Sequence, residues 1–321
     1  MEADVSKEGL LSCLHFLLPQ RLPLLDIFKM AKLEPFRGDY YLWKYLPSIP
    51  AAVVFLLLYI CATLAFSWRI WRTKTWFCTA FAIGCLCQFI GYAARISSHH
   101  KTAKVMPFAI QNAFILIAPV FFAASIYMTL SRVIRSVGGE RHALFKLRWL
   151  TRIFVTGDIL ALLIQSGAAG LMIVDSMASI GEIAIIGGLI FHIIIFGVFC
   201  VTATLFHAKM RRDPVAASIP KELKWEQILH MLYASSGLIM ARSIFRMIEF
   251  IMGQDGYLLS TEWPLYVFDS VPMFAVAVIF WWRFPSTVQT PNASGEWEET
   301  RGGSMDSLAP TGQATPVKRG Y

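Results

Sequence analysis

Seven stretches of mainly apolar residues dominate this chain, each about 20 residues or longer, the length a helix needs to cross roughly 30 Å of hydrocarbon. They run approximately over residues 47–68, 76–97, 107–131, 151–174, 181–206, 229–252 and 262–284. Of the 321 residues, 56 % are hydrophobic and only 16 % are charged. Soluble domains carry about a quarter charged residues, and an ordinary core of this length has no use for so much apolar surface. The expected fold is all-α, a polytopic seven-transmembrane-helix bundle over residues 45–285. A leader over 1–44 precedes it, and a disordered tail over 286–321, rich in Gly, Ser, Thr and Pro, follows.

The connections at 69–75, 98–106, 175–180 and 253–261 are short, so the helices they join are antiparallel. The first connection carries Arg69, Arg72 and Lys74. The third carries Arg132, Arg135, Arg141, Lys146 and Arg148, and the fifth Lys209, Arg211, Arg212, Lys221 and Lys224. The fourth and sixth hold Asp175 and Asp255 and no Lys or Arg. By the positive-inside rule the N-terminus is outside and the C-terminus cytoplasmic, with Lys101 and Lys104 running against the pattern. Basic loops beside anionic headgroups account for the net charge of +8, so no nucleic-acid partner is implied. The six cysteines offer no exofacial pair, and Cys85 and Cys87, two apart on a helix, point to different faces.

Within the sixth span the chain reads Arg242-Ser-Ile-Phe-Arg246-Met-Ile-Glu249. Spacings of four and three put these charges on one helix face. A charge at the membrane centre costs roughly 2.5–3.5 kcal/mol on insertion scales, so that face must meet partners or water. Asp269 in the seventh span lies at a depth similar to that of Arg246, and an Arg246–Asp269 pair is expected. The second span adds Gln88 and Arg95, and the third adds Asn112. In the fourth, Asp158 and Gln165 are seven apart and share a face. The small residues Gly167 to Gly170 that follow suit close helix approach.

A polar stripe among apolar helices suits a substrate with a charged head and a greasy tail. Arg242, Arg246, Glu249, Asp269, Asp158, Gln165, Gln88, Arg95 and Asn112 are the candidate substrate-pathway residues. Glu249 and Asp269 could meet an amine, and Arg242 and Arg246 a phosphate. The chain has no Gly-x-x-x-x-Gly-Lys-Ser/Thr phosphate loop, so ATP hydrolysis is not expected. Protonation of Glu249 is one way to couple transport to a gradient. No cofactor or metal is expected, because of the seven His residues only His192 lies well inside a span, and zinc needs three or so convergent ligands.

The arrangement resembles the fungal lipid-translocating exporter family over roughly residues 40–285. The resemblance rests on Tyr45-Leu-Pro47-Ser48, Gly91-Tyr92-Ala-Ala-Arg95, and Ala118-Pro119 through Ala123-Ala-Ser125-Ile-Tyr127. It continues with Asp158, Gln165-Ser-Gly167, then Arg242 through Glu249, Gly253, Gly256, Glu262, Tyr266, Asp269 and Pro285. It implies a transporter or translocase of amphipathic lipids, such as sphingoid bases or phospholipid- or sterol-like compounds, in the plasma membrane, and resistance to toxic amphiphiles. The partners implied are membrane lipids and an amphipathic small molecule, not an enzyme's substrate. Three departures stand out: Gln88 where the family usually has Glu, Phe66-Ser67-Trp68 where a His is common, and His192 where Gln is more usual. The alternative is a seven-helix receptor or lipid sensor, which shares span number and orientation. Against it, Ser131-Arg132-Val133 only loosely echoes the usual receptor motif, and no Lys between 225 and 317 is available for a retinal Schiff base.

Overall fold

The computed structural model describes residues 45–285, apart from 100, 101, 103, 144, 145, 172–176, 214–223, 254 and 255. The expected leader and tail, and Asp175 and Asp255, lie outside the described residues. Among the described residues, seven helices are long and apolar enough to cross a membrane. They are α1 (Ile49–Thr73), α2 (Thr79–His99), α3 (Val105–Ser136), α4 (Leu147–Leu171), α5 (Ala178–Arg212) and α6 (Trp225–Ile251). The seventh, α7 (Leu265–Trp282), opens with a wide π turn over Leu265–Ser270. No strand occurs among the described residues. Each helix overlaps one of the seven apolar windows, and the chain is an integral multi-pass membrane protein.

Local chemistry sets the ends. Pro50 sits in the first turn of α1, where its missing N–H has no helical partner to lose. Lys74, in the left-handed region, closes the same helix. The 35 residues of α5 extend through Lys209, Arg211 and Arg212, about 50 Å of helix, so its basic last turns reach past the hydrocarbon.

The surface is inverted relative to that of a soluble protein. Val54, Leu57 and Leu64 on α1 and Ile183, Ile194 and Val201 on α5 are more than half exposed, the apolar surface a lipid-facing bundle presents. Inside, the helices approach through glycines. A Cβ on Gly84 would sit 2.6 Å from the Phe122 ring, and one on Gly91 2.7 Å from the Ile115 side chain, so α2 and α3 are in near-backbone contact. Gly157 and Gly188 do the same for α4 and α5, against Ile195 and Gln165 at 2.9 Å each.

The small-residue stretch after Gln165 plays the expected part only through Ala168, which is buried with Ile185 and Leu189 of α5. Gly167 and Gly170 face open space. The packed face of α4 runs through Asp158, Ala161, Gln165 and Ala168, and helical periodicity turns the two glycines off it.

The bundle has two unlike ends. Near Asp213, aromatic rings fill the interior: Phe81 stacks on Phe122 at 4.5 Å and on Phe280 at 4.3 Å between ring centres. The rim there is basic. Asp213 holds Arg141 at 2.6 Å and His142 at 2.5 Å, and Arg132 lies 4.2 Å over the Phe77 ring. Toward the opposite end, around Glu262, the interior turns polar.

Candidate functional site

Arg242 and Asp269 form a buried ion pair between α6 and α7, both 5 % exposed or less. This corrects the expected Arg246–Asp269 pair, and helix boundaries explain why. Because α6 begins at Trp225, it is centred near residue 238, and α7 is centred near residue 273. Arg242 and Asp269 are then each about 6 Å from their midpoints, while Arg246 lies about 12 Å out. A second hydrogen bond from Arg242, from Nη2, goes to the main-chain carbonyl of Ile115 at 3.3 Å. That carbonyl is free because the residue four positions on is Pro119, which has no N–H to donate.

Ser270, next to Asp269, ties α7 to two tyrosines. The Tyr92 hydroxyl donates to Ser270 Oγ, and the Tyr59 hydroxyl to the Ser270 carbonyl at 3.2 Å. Ser270 Oγ donates in turn to the Leu265 carbonyl, five residues back. The π turn thus delivers Asp269 and Ser270 together to the interior, a use typical of such turns.

Arg246 donates from Nη1 to Glu249 Oε2 at 2.7 Å, one turn further along α6. Glu249 is 4 % exposed. Arg95 marks the end of the seam: it is fully buried and bonds Glu262 at 2.6 Å and the hydroxyls of Tyr266 at 3.1 Å and Tyr45 at 3.3 Å. Glu262 also accepts the Ser48 backbone N–H, at 2.8 and 3.0 Å on its two oxygens. This cluster staples the approach to α1 and the approach to α7 onto α2.

The third grouping lies at mid-bundle. Asp158 on α4 is fully buried. Its Oδ2 accepts the Tyr127 hydroxyl of α3 at 2.7 Å. Its Oδ1 lies 3.1 Å from His192 Nδ1 on α5, but the angle is poor and that oxygen has no hydrogen-bond donor among the described residues. Asp158, Gln165 and His192 line a cavity of about 20 Å³ with Arg242, Ser243 and Pro119. That is room for one water or a group of that size.

The structure therefore brings together Arg242, Asp269, Asp158 and Gln165 in one region, with Arg246–Glu249 a turn away and Arg95 at the end. Gln88 is buried on α2, its Oε1 without a donor among the described residues. Asn112 is half-buried and joins none of these clusters. Sequence reasoning did not name Glu262, Tyr127 or His192 as site residues. The signal for the first was available, since Glu262 and Tyr266 are one helical turn apart at the mouth of a span. For Tyr127 and His192 the signal was tertiary.

A model of the family described as RTA1 like protein matches residues 81–291. Protein RTA1 of Saccharomyces cerevisiae is 38 % identical over 205 residues, 64 % of this chain and 64 % of that protein. Protoporphyrin uptake protein 1 of the same yeast is 30 % identical over 278 residues, 76 % of this chain and 91 % of that protein. Sphingoid long-chain base transporter RSB1, again from Saccharomyces cerevisiae, is 25 % identical over 241 residues, 64 % of this chain and 62 % of that protein. The chain spans just under two thirds of the length of the RTA1 and RTM1 proteins. No solved structure matches. With α2 to α7 and nearly all of the polar seam inside the matched residues, the chain belongs to the RTA1-like family.

Proposed function

We propose that this protein is a membrane transporter that moves amphipathic lipids between leaflets along its buried polar seam, with sphingoid bases among its substrates. The observation that carries the reading is the convergence of buried charges from α2, α4, α6 and α7 inside a bundle whose outer face is apolar. A headgroup can follow the seam while its chain stays in lipid. Removing one partner from a buried ion pair costs about 3–5 kcal/mol, so a headgroup is best passed by exchange of partners. A headgroup with both an amine and a phosphate can take a carboxylate and its arginine together, and no charge is left alone. A sphingoid base, with an amine only, suits Asp158, whose neighbour is a histidine and not an arginine. The names of two relatives, a sphingoid long-chain base transporter and a protoporphyrin uptake protein, support transport of amphiphiles and not an enzymatic reaction. We place the basic Asp213 end in the cytoplasm, on the positive-inside rule, and the protein in the plasma membrane.

The test is leaflet exchange of fluorescent sphingoid-base and phospholipid probes in liposomes holding the purified protein. Exchange that is fast for the native chain and lost in a folded Arg246→Ala/Glu249→Gln variant is the expected result. Absence of exchange for the native chain, with no ion or pH gradient able to start it, moves the assignment to a membrane sensor.

A further inference from the structure

Each carboxylate of the seam but one is matched to an arginine. Asp269 has Arg242, Glu249 has Arg246 and Glu262 has Arg95. Asp158 alone has a histidine, His192, whose Nδ1 lies 3.1 Å from Oδ1. A guanidinium is always charged and an imidazole need not be, so this is the one pairing of the four without a permanent cation. Asp158 is fully buried, and its Oδ1 has no hydrogen-bond donor among the described residues. A carboxylate so placed is costly unless it gains a proton or a cation. The oxygen and the imidazole both border the cavity of about 20 Å³, which admits a single water.

We propose that Asp158, His192 and Tyr127 form a membrane-embedded proton-binding site that exchanges one proton with the cavity and so sets the charge a passing headgroup meets. Without the proton the Asp158–His192 pair carries one negative charge. With it the pair is neutral overall, as imidazole and carboxylic acid. Tyr127 holds Oδ2 from α3 and leaves Oδ1 for the exchange. The other groups facing the site are Gln165 on the same helix, Cys200 on α5 near Tyr127, and Arg242 and Ser243 on α6. Arg242 is neutralised by Asp269 from α7. Glu249, with its own arginine, is the weaker candidate for the coupling carboxylate.

This inference deepens the transport reading and rests on it for its purpose, but its test does not depend on transport. Infrared difference spectra of the reconstituted full-length protein, recorded while pH is stepped from acid to alkaline, report carboxylic-acid carbonyl bands directly. We expect a titrating acid band that disappears in Asp158→Asn. In His192→Gln its midpoint should move by about one pH unit or more, within the range a neighbouring charge exerts. Tyr127→Phe should displace the frequency of that band. A band that survives Asp158→Asn, no titrating band at all, or a midpoint that ignores His192→Gln each overturns the proposal. The His192 variant keeps the test decisive if Asp158→Asn does not fold. Leaflet exchange measured on the same samples separates the two ideas. A native protein that titrates as described but exchanges no probe defeats the transport reading and leaves the proton site standing.

Discussion

Arg242 and Ile115 are joined by a hydrogen bond that depends on a third residue's deficiency. The guanidinium donates to the Ile115 carbonyl at 3.3 Å, and Pro119 cannot compete for it. The guanidinium fork can reach two acceptors where an ammonium offers a point charge. Arg242→Lys should therefore lower stability by about 1.5–3 kcal/mol, the worth of a hydrogen bond to a charged group. Adding Pro119→Ala returns an N–H to Ile115 and should recover part of the loss. Thermal unfolding in detergent of both single variants and the double variant checks this, and strict additivity would show that the two residues do not share the carbonyl.

The Arg242–Asp269 pair should be more harmful half-broken than removed. Asp269→Leu leaves a buried guanidinium without its anion, at about 3–5 kcal/mol. The Arg242→Met/Asp269→Leu double variant should unfold at a higher temperature than Asp269→Leu alone, although it should not exchange lipid probes.

Glu262 is less buried than its partner, with 18 % of its side chain exposed against none for Arg95. Glu262→Ala should therefore cost about 2 kcal/mol, below the loss for a fully buried pair. The distinctive sign is local. The amide of Ser48 loses its acceptor, and its hydrogen exchange should accelerate ahead of the amides within α1.

Glycines of the bundle should sort by what faces them. Gly84→Leu drives a side chain into Phe122 and the Ala118 carbonyl, an overpacking worth about 1–3 kcal/mol or more. Gly167→Ala meets nothing within 4 Å and should be neutral or stabilising by up to about 1 kcal/mol through helix propensity. Unfolding temperatures of the two variants in the same detergent compare them directly.

Asn112→Ala should change neither stability nor probe exchange measurably, since that side chain joins none of the polar clusters. Loss of exchange in this variant would require the pathway to run along α3 outside the seam.

The spans were readable in the sequence because the bilayer imposes a length that local composition must meet. Asp158 and Gln165 were readable as one face, and both line the cavity, because a spacing of seven is a property of the helix alone. The partner of Asp269 was not. Choosing between Arg242 and Arg246 needs the helix midpoint to within about two residues, and an apolar window does not mark the polar first turn Trp225-Glu226-Gln227 as helix. Within Gly167–Gly170 it is Ala168 that packs, while Gly167 and Gly170 face open space, since small residues permit close approach without specifying which face is used. His192 could be seen as polar, but its contact with Asp158 joins residues 34 apart in sequence, a relation that no helical period encodes.

The π turn at Leu265–Ser270 gives α7 a phase offset. It accommodates one residue more than an α turn would over the same rise, and one residue corresponds to about 100° of rotation. Tightening it to an α turn without removing a residue would leave the span hydrophobic and long enough to cross the membrane. It would also swing the part of α7 on one side of the turn by more than a quarter revolution relative to the other. Hydropathy is blind to that rotation, so a homologue could match every span of this chain and still aim its counterpart of Asp269 at lipid. In this helix, the width of one turn works as an angular setting.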